Sequence, residues 1–183
     1  DTLVICDPAM ADNGEYYSGF DTGMAQAFRR LCARADIITP NVTEAALLSG
    51  VEYSPAPHSR DYIARLFNGL ERHAGRYVAI TGVHPAEGVI GTVVRDRVTG
   101  EEHSAMSKAY PGMFYGTGDI FASALSALLV RGAGVGDALE AASSLVRESI
   151  ERTFVRNTPR PYGVDFEGAL PAYVRRVEAI FAG

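Results

Sequence analysis

Up to Thr81 the chain alternates short, unbroken apolar runs with longer stretches whose apolar residues recur at helical spacing, and few architectures accommodate that rhythm. Leu3 to Cys6 is apolar and stops at Asp7-Pro8, as expected of a strand buried on both faces and ended by a residue with no N–H for the ladder. From Thr22 to Ala35, Met24, Phe28, Leu31 and Cys32 mark one face while Arg29, Arg30 and Arg34 lie elsewhere around the wheel, which predicts an amphipathic helix. Asp36 to Thr39 predicts a second buried strand closed by Pro40, and Thr43 to Leu48 a short helix ended by Gly50. Ser59 opens a third helix with Ile63, Leu66, Phe67 and Leu70 on one face, and Tyr77 to Thr81 reads as a third strand. Strands and helices in strict alternation with short connections predict parallel strands joined by right-handed crossovers.

The rhythm then changes. Gly91 to Asp96 and Glu101 to Lys108, separated by Thr99-Gly100, predict an antiparallel hairpin. After Gly116 three helical stripes follow: Ile120, Phe121, Ala124, Leu125, Leu128 and Leu129; Leu139, Ala142, Val146 and Ile150; and Leu170, Tyr173, Val174, Val177 and Phe181. Asp12-Asn13-Gly14-Glu15 reads as a polar loop, and Asn157 to Tyr162 as a proline-containing connection. No internal repeat interrupts the pattern, and 183 residues at roughly 100 to 200 per domain predict a single α/β domain over 1–183.

Composition narrows the function classes. Seventeen Lys and Arg against 22 Asp and Glu give a net charge of −5, which disfavours nucleic-acid and anionic-membrane partners because both need a basic field. The longest apolar stretch, Ile120 to Val130, is broken by Ser123 and Ser126 and falls far short of the ~20 residues of a bilayer span. The two cysteines, Cys6 and Cys32, match neither a CxxC redox pair nor zinc spacing, so both are expected to be buried free thiols, which points to a reducing, cytoplasmic setting. His58, His73, His84 and His103 show no ligand spacing and are expected at the surface or hydrogen-bonded. Asp1 to Cys6 reads as the middle of a strand rather than as a leader.

In open α/β sheets ligands bind beyond the carboxyl ends of the strands, and those positions are polar here. Asp7 and Asp12 follow the first strand, Asn41 and Glu44 the second, Thr81-Gly82 the third, and Gly116-Thr117-Gly118-Asp119 the hairpin, so four clusters are expected to converge on one edge. The last is the sharpest. Two glycines let backbone fold closely around an anion, and first-turn amides favour negative charge. An acid beside a phosphate is useful when it accepts a proton, as a kinase base does. The same tetrapeptide also fits an ordinary turn with a favourable first-turn acid, as Asn41 fits a turn after Pro40, Glu44 a helix-dipole partner, Asp7 a strand terminator and Tyr17 plain packing.

Gly116-Thr117-Gly118-Asp119-Ile120-Phe121, taken with Asp7-Pro8-Ala9-Met10-Ala11-Asp12-Asn13-Gly14 and Thr39-Pro40-Asn41-Val42-Thr43-Glu44-Ala45, resembles the C-terminal two-thirds of the pyridoxal kinase family in the ribokinase superfamily. The resemblance spans essentially the whole chain in order and spacing. It implies a three-layer fold with a mostly parallel central sheet flanked by helices, and ATP-dependent phosphorylation of the 5′-hydroxymethyl group of pyridoxal, pyridoxine or pyridoxamine in vitamin B6 salvage. It further implies that Asp119 takes the hydroxyl proton and that Gly116, Thr117 and Gly118 surround the transferring phosphoryl group. Asn41, Glu44 and Asp12 would then organise Mg2+, often through waters, with K+ a further candidate ion. Asp7, Asp12, Tyr17, Asn41, Thr81, Gly82 and Thr117 would line the ATP site, and the parent protein would be a homodimer.

Three departures stand out. Ala11 replaces a usual Gly, Gly82 replaces a frequent Ser, and nothing corresponds to the N-terminal portion that supplies the first strands and most of the vitamin pocket, so the chain is expected to be a piece of a longer protein. Two rivals follow. Hydroxymethylpyrimidine kinases of thiamine synthesis share the fold but commonly place Cys at the position of Asp119, and a non-catalytic nucleotide-binding fragment would keep the loops without turnover.

Overall fold

A computed structural model describes residues 2–156 and 163–182, so the connection expected over Asn157 to Tyr162 lies outside the described residues. The chain forms two compact units, Asp1–Met106 and Ser107–Gly183.

The first unit carries β1 (Ile5–Cys6), β2 (Ala11–Asp12), β3 (Glu15–Tyr16), α1 (Thr22–Cys32), β4 (Ile37–Ile38), α2 (Val42–Ser49), α3 (Arg60–Leu70), β5 (Tyr77–Val83), β6 (Val89–Asp96) and, up to Met106, most of β7 (Glu102–Lys108). The main sheet has the order β1-β4-β5-β6-β7. β1 pairs with β4 and β4 with β5 in parallel, as the strand–helix alternation predicts; β6 returns antiparallel to β5 and has β7 on its other side, on the two segments expected to form a hairpin. β4 is flanked by β1 and β5, and its Ile37 and Ile38 are wholly buried. β1 differs from expectation. It is a sheet edge among the described residues, so it is half-buried rather than covered on both faces, and Val4 is 45% exposed.

Local chemistry sets the helix ends. The Asp21 carboxylate accepts from the N–H groups of Gly23 and Met24 at the start of α1, and Ser59 Oγ accepts from Tyr62 N–H at the start of α3. Gly50, at φ 76°, ends α2 in the left-handed conformation that a glycine adopts without a Cβ penalty. Arg29 donates to the carbonyls of Leu47 and Leu48 at 2.5 and 3.0 Å, satisfying the last turn of α2. Leu48, Leu66, Phe67, Leu70, Val78 and Ile80 form the middle of the core. Each such side chain contributes about 1.5–3 kcal/mol relative to exposure. In α1 the buried seam runs through Ala25 and Cys32 with Phe28 between them, so Leu31, expected on the apolar face, turns aside and is 57% exposed.

The second unit consists of α4 (Thr117–Val130), α5 (Val135–Arg156) and α6 (Leu170–Phe181), with α4 packed along α5 and α5 against α6. Phe121, Ala124, Leu125 and Leu128 are buried on α4, and Leu139 and Ala142 on α5, as their stripes predict. The third stripe forms its helix but is the least covered of the three. α6 has no buried residue, and Leu170 and Val174 are exposed on it, while the Tyr173 hydroxyl donates to the Ala124 carbonyl at 3.2 Å. Buried Asp165 pairs with Arg156 at 2.7 Å and Arg152 at 3.4 Å. Among the described residues no helix is long and apolar enough to cross a membrane.

Candidate active site

The sheet brings the expected polar residues of the first unit to one edge. Asp7 follows β1, and its carboxylate accepts the Thr39 hydroxyl at 2.7 Å just beyond β4. Pro40 cannot continue the ladder as a donor, yet its carbonyl accepts from Thr81 N–H at 2.9 Å, and Asn41 and Thr81 form an isolated parallel bridge. The register of β5 against β6 shifts between Ile80 and Val83, with Gly82 at φ 67°. That irregularity releases Thr81 and Gly82 from the antiparallel ladder at the strand end where ligands bind in this class of sheet.

Asn41 and Glu44 bind each other and the loop above them. Asn41 caps α2 by accepting from Glu44 N–H at 2.9 Å, and Glu44 Oε2 accepts from Asn41 N–H at 2.9 Å, a reciprocal capping box. The other ends reach upstream. Asn41 Nδ2 donates to the Ala11 carbonyl at 2.8 Å, and Glu44 Oε1 accepts from Met10 N–H at 2.9 Å and Ala11 N–H at 3.4 Å. Glu44 is 3% exposed. Burial pushes its carboxyl up to about 7, against the pull of the three backbone N–H groups and with the Asp7 charge adding to the rise. Both side chains therefore clamp the segment that presents Asp12.

Asp12 stands on a hairpin where a polar loop was expected. β2 and β3 pair Asp12 with Glu15 across Asn13 and Gly14, whose φ values of 51° and 83° are those of a two-residue primed turn. The Asn-Gly dipeptide was the available signal. Asp12 is exposed and accepts from Asn13 N–H at 2.9 Å. Two residues outside the sequence-based set hold this turn: Thr43 Oγ1 accepts from Gly14 N–H at 3.0 Å, and a Cβ on Gly14 would meet the Tyr53 ring at 2.8 Å. Tyr17 lies just past β3, where its N–H donates to the Met10 carbonyl at 2.9 Å and its side chain is 46% exposed.

In the second unit Gly116 takes the left-handed conformation, φ 79°, immediately before α4. Thr117 Oγ1 donates to the Phe114 carbonyl at 3.2 Å, and Asp119 is exposed in the first turn. Among the described residues no side chain caps these first-turn amides, and amides behind a left-handed glycine suit an anion.

Asp12, Asn41 and Glu44 supply hard oxygen donors of the kind Mg2+ takes. Asn41 and Glu44 already use their polar atoms on protein partners, which favours contact with an ion through water. Among the described residues no three His, Cys, Asp or Glu side chains gather as a metal cluster. His58 departs from the surface-or-bonded expectation on one side: it is buried, its Nδ1 accepts from His84 N–H at 2.9 Å, and its Nε2 has no partner among the described residues. Both cysteines are free, Cys32 buried and Cys6 only half-buried.

The phosphomethylpyrimidine kinase family profile matches residues 1–160. The chain is 32% identical over 153 residues to the hydroxymethylpyrimidine/phosphomethylpyrimidine kinase of Bacillus subtilis, covering 82% of this chain and 54% of that one. It is 32% identical over 156 residues to the pyridoxine/pyridoxal/pyridoxamine kinase of Bordetella avium, covering 82% and 50% respectively. The crystal structure of pyridoxal kinase from Lactobacillus plantarum superposes with a TM-score of 0.81 at 31% identity, over 97% of this chain and 63% of that one. The chain thus spans about half the length of the curated relatives it matches. With a profile match over most of its residues and a mixed sheet flanked by helices that superposes on a pyridoxal kinase, the chain belongs to the phosphomethylpyrimidine kinase family, with the ribokinase-like fold.

Proposed function

We propose that the protein containing this chain is a B6-vitamer kinase, transferring the terminal phosphoryl group of ATP to the 5′-hydroxymethyl group of pyridoxal, pyridoxine or pyridoxamine. The observation that carries the reading is an acidic residue, Asp119, in the first turn of α4 behind left-handed Gly116. Kinases of the hydroxymethylpyrimidine type, which the family name and the Bacillus subtilis relative favour as the second reading, commonly carry Cys there.

Residues 1–183 serve a single kinase domain in this reading. Asp119 accepts the proton of the substrate hydroxyl as its oxygen attacks the terminal phosphorus and ADP departs. The amides of Gly116, Thr117 and Gly118 face the charge that grows on the phosphoryl oxygens, where fixed dipoles stabilise more than mobile water does. Asp7, Asp12, Tyr17, Asn41, Thr81 and Gly82 line the nucleotide site. Asp12, with Asn41 and Glu44 through water, would hold Mg2+, which supplies charge neutralisation of the phosphates when bound. Potassium, a homodimeric parent and a cytoplasmic setting, the last fitting two unbridged thiols, belong to the same proposal.

The test uses the intact protein with Mg·ATP and pyridoxal. Wild type is expected to form the phosphorylated vitamer, and Asp119→Asn to lose on the order of 10² to 10⁴ in rate while retaining ATP binding. Near-normal turnover by the variant would remove Asp119 from the role of base. ATP binding by wild type with no product from any vitamer would favour a non-catalytic nucleotide module instead.

A further inference from the structure

We propose that Cys6 and Cys32 are a modification site, closing to a reversible intramolecular disulfide when the protein meets a small disulfide oxidant. Though 26 positions apart in sequence, their Sγ atoms lie 3.7 Å from each other, because Cys6 ends β1 and Cys32 ends α1. A disulfide requires about 2.05 Å, so the sulfurs start in van der Waals contact and have little further to travel. The proposal does not rest on the kinase reading.

The two thiols are inequivalent in the way that exchange chemistry uses. Cys6 is half-buried, whereas Cys32 is 0% exposed. The Cys32 S–H donates to the Cys6 sulfur; that bond lowers the Cys6 thiol below its ordinary value against the opposing effect of burial, and the same bond together with burial raises Cys32. The thiol of the less buried residue, with more thiolate character, attacks first, and its buried neighbour resolves. In the first step the Cys6 thiolate attacks one sulfur of the oxidant RSSR, forming Cys6–S–S–R and releasing RS−. In the second, Cys32 gives up its proton and its sulfur attacks that of Cys6, expelling the second RS−. Two cysteine thiols are oxidised, one RSSR is reduced to two RSH, and no other reactant is needed. The product ties the end of β1 to the end of α1, one residue before Asp7 and its bond from Thr39.

The test is incubation of the folded, intact protein with oxidised glutathione, followed by alkylation in denaturant and peptide mapping. Expected is a linked pair of peptides carrying Cys6 and Cys32, lighter by about 2 Da than the reduced pair, in a species that stays monomeric on a non-reducing gel and reverts with dithiothreitol. In Cys32→Ser the glutathione adduct is expected to remain on Cys6, and in folded Cys6→Ser the buried Cys32 is expected to stay unmodified. The proposal is overturned if both thiols of oxidised wild type alkylate in full, if the Cys6 adduct persists in wild type, or if bridges form only between molecules. The wild-type map decides by itself should either variant fail to fold.

Discussion

Glu44 sits almost wholly out of water while three backbone N–H groups point at its carboxylate, and the two effects oppose each other. Burial prevails, so the folded carboxyl keeps its proton up to about pH 7 where an unstructured glutamate releases it near 4.5. The folded state then binds more protons than the unfolded state between those values, so the contribution of this group is full below the lower one and lost as pH rises through the upper. Urea titrations are expected to show wild type losing on the order of 3 kcal/mol, relative to Glu44→Gln, as pH is raised from about 5 to about 8. A pH-independent difference between the two proteins would contradict it. Asn41 separates two jobs in one side chain. Asn41→Ser keeps a helix-capping oxygen and loses the donor to the Ala11 carbonyl, whereas Asn41→Ala loses both. The alanine variant is expected to be destabilised by about 0.5–2 kcal/mol for the cap and about 1 kcal/mol more for the lost carbonyl partner, and the serine variant less, in the same denaturant assay. The spacing of Asn41 and Glu44 was legible in the sequence. Their clasp on Met10 and Ala11 was not, because those partners lie some thirty positions upstream and only the fold brings them near.

At the scale of elements, periodicity located every helix and every strand of the main sheet, but it said less about which faces would be covered. Ile37 and Ile38 in β4 and Leu66 and Phe67 in α3 are as buried as their patterns predict, since each has neighbours on the faces that matter. β1 has the same apolar composition as β4 yet is an edge strand among the described residues, and composition does not say how many strands pair with it. The β2–β3 hairpin was passed over because Ala11-Asp12 and Glu15-Tyr16 form no apolar run of the kind that marks β1 and β4, although Asn13-Gly14 carried the turn signal. α6 shows the converse, a clear stripe with little to bury it. One glycine tests the hairpin that closes the sheet. A Cβ on Gly91 would stand 2.2 Å from the Ala105 carbonyl oxygen and 2.8 Å from Met106 Cα, so the backbone of β7 must move to admit it. Gly91→Ala is expected to cost about 1–3 kcal/mol of stability, read from urea midpoints. Wild-type stability in that variant would show that β6 and β7 are held more loosely than their pairing implies.

For the molecule as a whole, strand–helix alternation announced the α/β class, and three ordered motifs announced the family to which the chain belongs. What no short motif encodes is the choice between two hydroxymethyl-bearing heterocycles, since both chemistries need the same phosphate turn and the same oxygen donors. In the proposed function Asp119 is the residue that favours the pyridine vitamers over the pyrimidine. The direct measurement is an initial-rate comparison on the intact protein with Mg·ATP, setting pyridoxal, pyridoxine and pyridoxamine against hydroxymethylpyrimidine under the same conditions. A kcat/KM higher for at least one B6 vitamer than for the pyrimidine is the expected result. Efficient phosphorylation of hydroxymethylpyrimidine with no turnover of any B6 vitamer would contradict the proposed function.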